Sequence, residues 1–476
     1  MKKKFLFLLS FLLIFSFALF GCNSIKLQGG PSRDETVYGN GGSAVVKGDY
    51  LYFANAFVDY AQLGINDNVY DKDKNSNYAT YAIYRTKLDH LGKVTLDEDG
   101  KPKGAEIITY NVGGYAYAGL YICGDYLYYT TPYSKDATSG ETTTGLVRFE
   151  RVKLDGTGHE ILYSADDYSS ESSYSIVYVD NITYIVVMNS SKDITLITCN
   201  GGNKRVDKIA SSVTSYAVFE QKDITKTNQV AQINKYVYYT IKDSDDLYKI
   251  FRVSLTTREE SVFYGPTSEE VVLKNVKNNR VYFLEGGKLY SMADESLGKV
   301  QYTALSFSTD SSSTSNSINN YLIVDSSYGN NLDRGVIGVF YDGSNYSLAY
   351  YNKGVTQELN ISSDSSKKIT LIATQENEFY YQIADDDALY KCVLNLDLVN
   401  GTYNIVDYDA GEKLADKFST SVASTTMLDF DKDRIYVYNK PSEASIDYLT
   451  MFMLDSDVAY KDASNKLVGQ YIGFTK

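Results

Sequence analysis

The sequence predicts an all-β fold, a β-propeller of seven to eight four-stranded blades. Three observations predict it: a composition crowded with aromatic residues, a short tyrosine-rich stretch that keeps returning, and a spacing between returns that suits one blade. Tyrosine supplies 46 of the 476 residues and phenylalanine 20, while tryptophan is absent and there are five prolines and two histidines. Aromatic and β-branched side chains fit pleated, half-buried surfaces, so this composition favours strands.

The recurrent stretch opens on Gly, Asn or Asp and runs into alternating tyrosines: GDYLYFANA from Gly48, GDYLYYTTPYS from Gly124, NKYVYYTIK from Asn234, NNRVYFLEG from Asn278, NEFYYQIAD from Asn377 and DRIYVYNK from Asp433. Each is followed by a variable insert, a second strand, a turn and a third strand. The clearest copies continue as LVRFERVKLDGTGHEILY from Leu146, and through 234–265, 278–305 and 377–408. Weaker copies lie at 48–93, 179–209 and 318–361. Eight starts over residues 43–476 give about 54 residues each, within reach of a four-stranded blade. Neighbouring side chains of a strand point to opposite faces, so Tyr-Leu-Tyr-Tyr carries bulk on both. Such strands are expected as the inner strands of blades stacked on both sides.

The segment from Leu146 also carries Arg151, Leu154, Asp155 and Gly156, and the copy at Tyr84 has Arg85, Leu88 and Asp89 with His90 in the glycine place. This pairing of an aromatic strand with an Arg-φ-x-Leu-Asp-Gly turn resembles the YWTD-type, TolB-like β-propeller repeat, with tyrosine replacing its tryptophan at Tyr128-Tyr129 and Tyr238-Tyr239. The chain as a whole is similar to the propeller lipoproteins of low-GC bacteria. That resemblance implies the fold, and leaves function open because propellers host unrelated activities.

The first 21 residues form a signal segment: Lys2, Lys3 and Lys4 precede an apolar run from Phe5 to Phe20, too short for a span of about 20 residues. The run ends Leu19-Phe20-Gly21-Cys22, which resembles the lipobox of bacterial lipoproteins and implies diacylation of Cys22. Phe20 departs from the small residue usual there; an ordinary signal peptide with Cys22 incidental is the alternative. The organisation expected is a signal peptide over 1–21, a Gly-rich tether over 22–42 starting at lipidated Cys22, and a propeller over 43–476. Two or more acyl chains anchor stably where one would be marginal. The protein is thus expected at the cell membrane, lipid-anchored on its extracytoplasmic face.

Net charge is −14, and −17 once the three signal lysines are gone, which disfavours nucleic acid and other polyanions as partners. Cys123, Cys199 and Cys392 are too few and too far apart for a disulfide framework or a zinc site, and are expected as buried core thiols; one disulfide with a leftover thiol is the alternative.

Chemistry-bearing motifs are sparse. No nucleophile elbow or Walker loop is present, and His90 and His159 both fall in turns. No catalytic residue, cofactor or metal site is assigned. Asp71-Lys72-Asp73-Lys74-Asn75 begins like a calcium loop, but Ser76 and Ala82 stand where glycine and glutamate are needed. Asp429, Asp431 and Asp433 alternate, and the runs from Asp243 and Asp385 are expected as solvated turns between the first and second strands of their repeats. Inserts at 57–80, 92–104, 133–145 and 306–317 belong on the rims, and Phe57–Tyr81 is the preferred recognition loop. The stretch Tyr110–Tyr121 is read either as core or as a sugar-stacking surface. The function expected is a binding or scaffold module for a glycan, peptide or surface protein. The alternative is an extracellular enzyme acting on glycans through carboxylates around the central channel.

Overall fold

The structure, a computed structural model, describes residues 37–57, 80–115, 119–132, 146–169, 172–180, 182–219, 235–277, 280–293, 299–302, 317–324, 335–341, 344–352, 355–361, 364–375, 377–386, 388–399, 402–415, 429–431, 434–439, 446–453 and 469–473. These residues contain no α-helix, and their strands form eight antiparallel sheets that follow one another along the chain. Sheets I to VIII begin at Ala44, Tyr121, Ser173, Val213, Val271, Ser317, Ile369 and Asp429, and each is laid down in chain order from its first strand to its fourth. The fold is all-β, as the composition predicts, and it is a propeller.

First strands of successive sheets approach one another and so lie nearest the axis. Side chains tie them round the ring: Lys47 Nζ donates to Gly124 O at 2.7 Å, Tyr121 OH to Tyr174 O at 3.4 Å and Ser173 Oγ to Tyr216 OH at 3.3 Å. Further round, Leu273 N donates to Ser215 Oγ at 2.8 Å, Tyr321 OH to Asn275 Oδ1 at 3.0 Å and Thr374 Oγ1 to Ile323 O at 3.1 Å.

The tyrosine stretches are the second strands: Tyr50–Ala54, Tyr126–Pro132, Ile182–Met188, Tyr236–Lys242, Arg280–Glu285, Val336–Tyr341, Glu378–Ile383 and Arg434–Asn439. They are expected as inner strands, and the structure puts one further strand inside each of them. Both faces of these second strands are covered. Leu51 and Phe53 pack toward sheet VIII while Tyr52 packs toward sheet II. Leu127 and Tyr129 face sheet I and Tyr128 faces sheet III; Val237 and Tyr239 face III and Tyr238 faces V. Phe379 and Tyr381 face VI and Tyr380 faces VIII. A period of two therefore serves two interfaces at once, and aromatic pairs across them add about 0.5–1.5 kcal/mol each beyond area burial.

The last interface closes the ring. Tyr436, Tyr438, Leu449 and Met451 of sheet VIII share a core with Phe53, Tyr84 and Ile107 of sheet I. A two-residue strand, Ala56–Phe57, leaves sheet I and pairs with the third strand of sheet VIII, Ala56 opposite Tyr448 and Phe57 opposite Asp447. Leu449 N and Tyr438 OH add hydrogen bonds to Asn55 O and Ala54 O. At the other rim, Arg434 Nε donates to Gly92 O at 3.1 Å.

Antiparallel alternation sorts the connections onto two rims. One carries the first-to-second and third-to-fourth turns; the other carries the second-to-third loops and the crossings between sheets. Residues 58–79 and 133–145 are flanked by Phe57, Thr80, Pro132 and Leu146 at this second rim, whereas 92–104 forms a double turn on the first, with bridges Leu88–Val94 and Leu96–Pro102. Val37–Tyr38, inside the stretch expected as tether, adds a strand to the inner edge of sheet II.

Candidate functional site

The Arg-φ-x-Leu-Asp-Gly turn is a brace. Arg151 is opposite Tyr128 on one side and Glu160 on the other, and is 4% exposed. Its Nε and Nη2 donate to Glu160 Oε2 at 2.9 and 2.7 Å, Nη2 also donates to Gly201 O of sheet III at 2.9 Å, and the guanidinium lies 4.4 Å over the Tyr126 ring. Arg85 repeats this one sheet earlier. It bonds Glu106 Oε2 at 2.7 Å and Leu154 O of sheet II at 3.2 Å, and lies 4.6 Å over Tyr50. Arg252 and Lys391 take the same register place in sheets IV and VII. Sheet III has Thr198 there, and Arg258 from the following sheet fills in, donating to Thr198 Oγ1 at 2.6 Å and lying 5.7 Å from the Tyr184 ring. Asp155 accepts from Thr157 N at 2.9 Å to close the turn, and Gly156 takes φ +80° there.

A polar cluster lies between sheets I and II. Glu150, 2% exposed, shares its strand face with Arg148 and Val152, and its Oε2 accepts from Tyr129 OH at 2.9 Å, Asn111 Nδ2 at 2.5 Å and His159 Nε2 at 2.7 Å. His159 is half-exposed, and the Glu150 hydrogen bond holds its pKa above the ordinary histidine value. Burial, then the Glu150 charge, pushes the Tyr129 phenol well up. His90 sits exposed in its turn, as expected. His159 was expected as a plain turn residue and is instead bonded to a buried carboxylate. The signal available was an acid inside a strand, in RFERV, with a histidine nine places on across a hairpin.

A second cluster lies at the axis. Tyr115, Tyr121, Tyr168, Tyr174 and Tyr216 gather where sheets II, III and IV meet the rim of second-to-third loops; burial first, and the neighbouring phenols second, push the Tyr168 and Tyr174 hydroxyls well up. Tyr121 meets Tyr174 edge-on at 5.4 Å, and Phe149 meets Tyr174 and Tyr168 edge-on at 5.2 and 5.6 Å. Tyr115 is fully buried and donates to Thr130 Oγ1 at 2.7 Å, so the 110–121 stretch is core at this point. Tyr174 and Tyr216 stay partly exposed, with Ser173 open beside them. Tyr174 OH donates to Gly119 O.

Charge is segregated radially. No Asp or Glu occurs on the first strands of sheets I to VII; the acids Glu106, Glu160, Asp207, Glu260 and Glu358 lie on fourth strands. Asp429 and Asp431 are on the first strand of sheet VIII. The carboxylates from Asp243 and Asp385 are spent on turns between second and third strands, one strand later than expected: Asp243 Oδ1 accepts from Asp245 N and Leu247 N at 3.0 and 3.1 Å, and Asp386 Oδ1 from Ala388 N at 3.0 Å. Among the described residues no group of three His, Cys, Asp or Glu is placed to hold a metal, and no helix is long and apolar enough to cross a membrane. Cys123, Cys199 and Cys392 are buried and outside any disulfide; burial pushes the Cys199 and Cys392 thiols up to about 11 and about 12. Cys22, residues 1–21, Asp71–Asn75, Asp433 and residues 58–79 of the preferred recognition loop lie outside the described residues.

No family model matches the chain, and no curated protein matches it. Solved structures are similar at low identity. A post-proline cleaving enzyme from Rickettsia typhi aligns at 10% identity over 87% of this chain with a TM-score of 0.41; the chain spans only 58% of that protein's length. TolB from Acinetobacter baumannii aligns at 11% identity over 62% of this chain and 79% of its own, TM-score 0.28. A lectin from Burkholderia pseudomallei aligns at 9% identity over 70% of this chain and 93% of its own, TM-score 0.36. At these values none of the likenesses bears on what the chain binds.

Proposed function

We propose that the chain is a lipid-anchored propeller on the extracytoplasmic face of the cell membrane, serving as a binding or scaffold module. Its ligand is an uncharged group, a glycan or a neutral segment of a peptide or protein partner, held at the tyrosine-lined mouth between sheets II, III and IV. The observation that carries this reading is the pair Tyr174 and Tyr216, partly exposed beside Ser173 on strands that hold no carboxylate. Phenol rings offer flat apolar faces for stacking, and burial keeps their hydroxyls neutral, able to donate and accept. A strongly charged ligand would find no counter-charge there. The anchor rests on the basic start, the apolar run and the Gly21-Cys22 ending.

Arrays of glycans and of neutral peptides, probed with the full chain, test the site. A hit whose affinity falls at least tenfold in Tyr216→Ala supports it; hits that Tyr174→Ala and Tyr216→Ala leave unchanged place the ligand elsewhere. For the anchor, palmitate labelling is expected in the native chain and absent from Cys22→Ala, and a labelled variant removes the assignment.

A further inference from the structure

We infer that the chain enters the ring along its axis from the rim of first-to-second and third-to-fourth turns, so that this rim faces the bilayer and the tyrosine-lined mouth faces away. The inference rests on the Cys22 anchor proposed above, and adds an orientation to it. Val37–Tyr38 runs antiparallel to the inner strand Tyr121–Cys123, with Val37 opposite Cys123 and Tyr38 opposite Ile122. Cys123 is the last residue before the turn at Gly124, so Val37 lies at the level of that turn and the chain climbs from it toward the other rim. Leu120 N donates to Gly42 O at 2.9 Å on the way, and Ala54 N, at the far end of its strand, donates to Ser43 O at 2.9 Å, which marks the arrival.

The entry is held on several sides. Val37 is buried among Tyr121, Cys123 and Tyr128, and Lys47 Nζ lies 5.2 Å over the Tyr38 ring while bonding Gly124 O. The passage is narrow: Gly39 takes φ +90°, and a Cβ there would stand 2.6 Å from Leu120 O. The backbone conformation and the space both call for glycine.

Chain length turns this entry into an orientation. Fifteen residue steps lead from Cys22 to Val37, and fully extended they reach at most about 50–54 Å. Four strands spaced about 4.8 Å apart carry a sheet's outer edge roughly 20 Å or more from the axis, and strands of about seven residues stand roughly 23 Å tall. Presenting the mouth to the bilayer would require the connector to run from axis to edge and up the side, consuming about 45 Å and nearly its whole contour. With the turn rim toward the lipid no such detour exists. The flanks of 58–79 and 133–145 then stand on the membrane-distal side together with Tyr174 and Tyr216.

The test uses the full acylated chain in vesicles whose head groups carry an energy acceptor. Donor dyes go on Asn203→Cys, exposed beside a third-to-fourth turn, and on Asp245→Cys, exposed in a second-to-third turn. Transfer at least twofold stronger from position 203 is expected; equal or reversed transfer overturns the orientation. Flotation with the vesicles is scored first. A chain that does not float loses the anchor and the orientation with it. Axial entry is then judged separately in full-length Cys22→Ser protein, from spin-label distances between Glu35→Cys and each rim position. A shorter distance to 203 supports entry from the turn rim, and a shorter distance to 245 refutes it.

Discussion

Replacing Arg151 with methionine keeps most of the side-chain volume and removes the charge from the brace between sheets II and III. Three hydrogen bonds go with it, two to Glu160 and one to Gly201 O, together with the contact to the Tyr126 ring at 4.4 Å. Breaking a fully buried ion pair costs about 3–5 kcal/mol, but Glu160 is 34% exposed and regains water, which cuts that figure by roughly half. Lost cation–π attraction adds about 0.5–1 kcal/mol, and the methionine side chain returns part of the packing. The net expectation is a loss of about 2–3 kcal/mol. Because the chain has 46 tyrosines and no tryptophan, near-ultraviolet circular dichroism through a urea titration reports tertiary packing of the braced rings directly. A double-mutant cycle with Glu160→Gln isolates the pair, with a coupling of about 1–2 kcal/mol expected. Arg205→Met is the control: Arg205 is 68% exposed against Asp207, and a change within about 0.5 kcal/mol is expected. If Arg151→Met also falls within 0.5 kcal/mol of native, the brace does not hold these sheets together.

Other perturbations have equally definite outcomes. A Cβ at Gly114 would run into the carbonyl of Ala56, the strand that joins sheet I to sheet VIII; Gly114→Ala should destabilise by at least about 2 kcal/mol and speed proteolysis near the closure, while Gly202→Ala, with open space around it, should be near neutral. His159 has its folded pKa raised by Glu150, so its contribution is complete below the unfolded value near pH 6.5 and is lost as pH rises through the raised folded value. Stability of His159→Gln relative to native, measured by urea midpoints from pH 5.5 to 9, should show a deficit at the acid end that closes at the alkaline end; the half-exposed ring limits it to below about 1 kcal/mol, and a deficit that grows with pH would reverse the assignment. Lys391 stands in the register place of Arg151 between Glu378 and Glu412 at 3.4 and 3.7 Å, so Lys391→Arg should be tolerated or stabilising by up to about 0.5 kcal/mol, read from thermal midpoints.

How much of this was legible in the sequence depends on where the periodic signal is strong. Second strands carry it because both faces are buried, so Leu51-Tyr52-Phe53 and Val237-Tyr238-Tyr239 announce themselves without an alternating polar face. Six were found for that reason, while Ile182–Met188 and Val336–Tyr341 lie in the weaker copies at 179–209 and 318–361, where the tyrosine pattern thins. Most of their inner neighbours were not, because strands such as Ser173–Val179, Val213–Ala217 and Val271–Lys277 carry Ser173, Thr214 or Asn275 among their apolar residues. Ala56–Phe57 and Val37–Tyr38 are too short for any period to show. Arg258 was invisible as a brace because its place in the chain belongs to sheet IV while its ring contact belongs to sheet III. The tyrosine mouth was legible only at Tyr110–Tyr121: Tyr121, Tyr174 and Tyr216 come from three successive sheets, and only the stacking of those sheets brings them together.

Tyrosine in place of tryptophan has a structural consequence that links the braces to the mouth. A ring of stacked sheets needs large side chains between its layers, yet at every level some of those side chains reach a margin where a polar atom is required. The phenol meets both demands with one residue type: Tyr129 ends on Glu150 within the core, and Tyr264 on Glu285 and Tyr390 on Asp386 at its margin. Acids therefore collect on second, third and fourth strands, where phenols, arginines and lysines satisfy them, and the first strands of sheets I to VII are left without any. Radial segregation of charge thus follows from the packing solution itself. It leaves the axial strands of sheets I to VII free of acids inside a strongly acidic wall, the electrostatic setting in which an uncharged ligand is favoured over an anionic one.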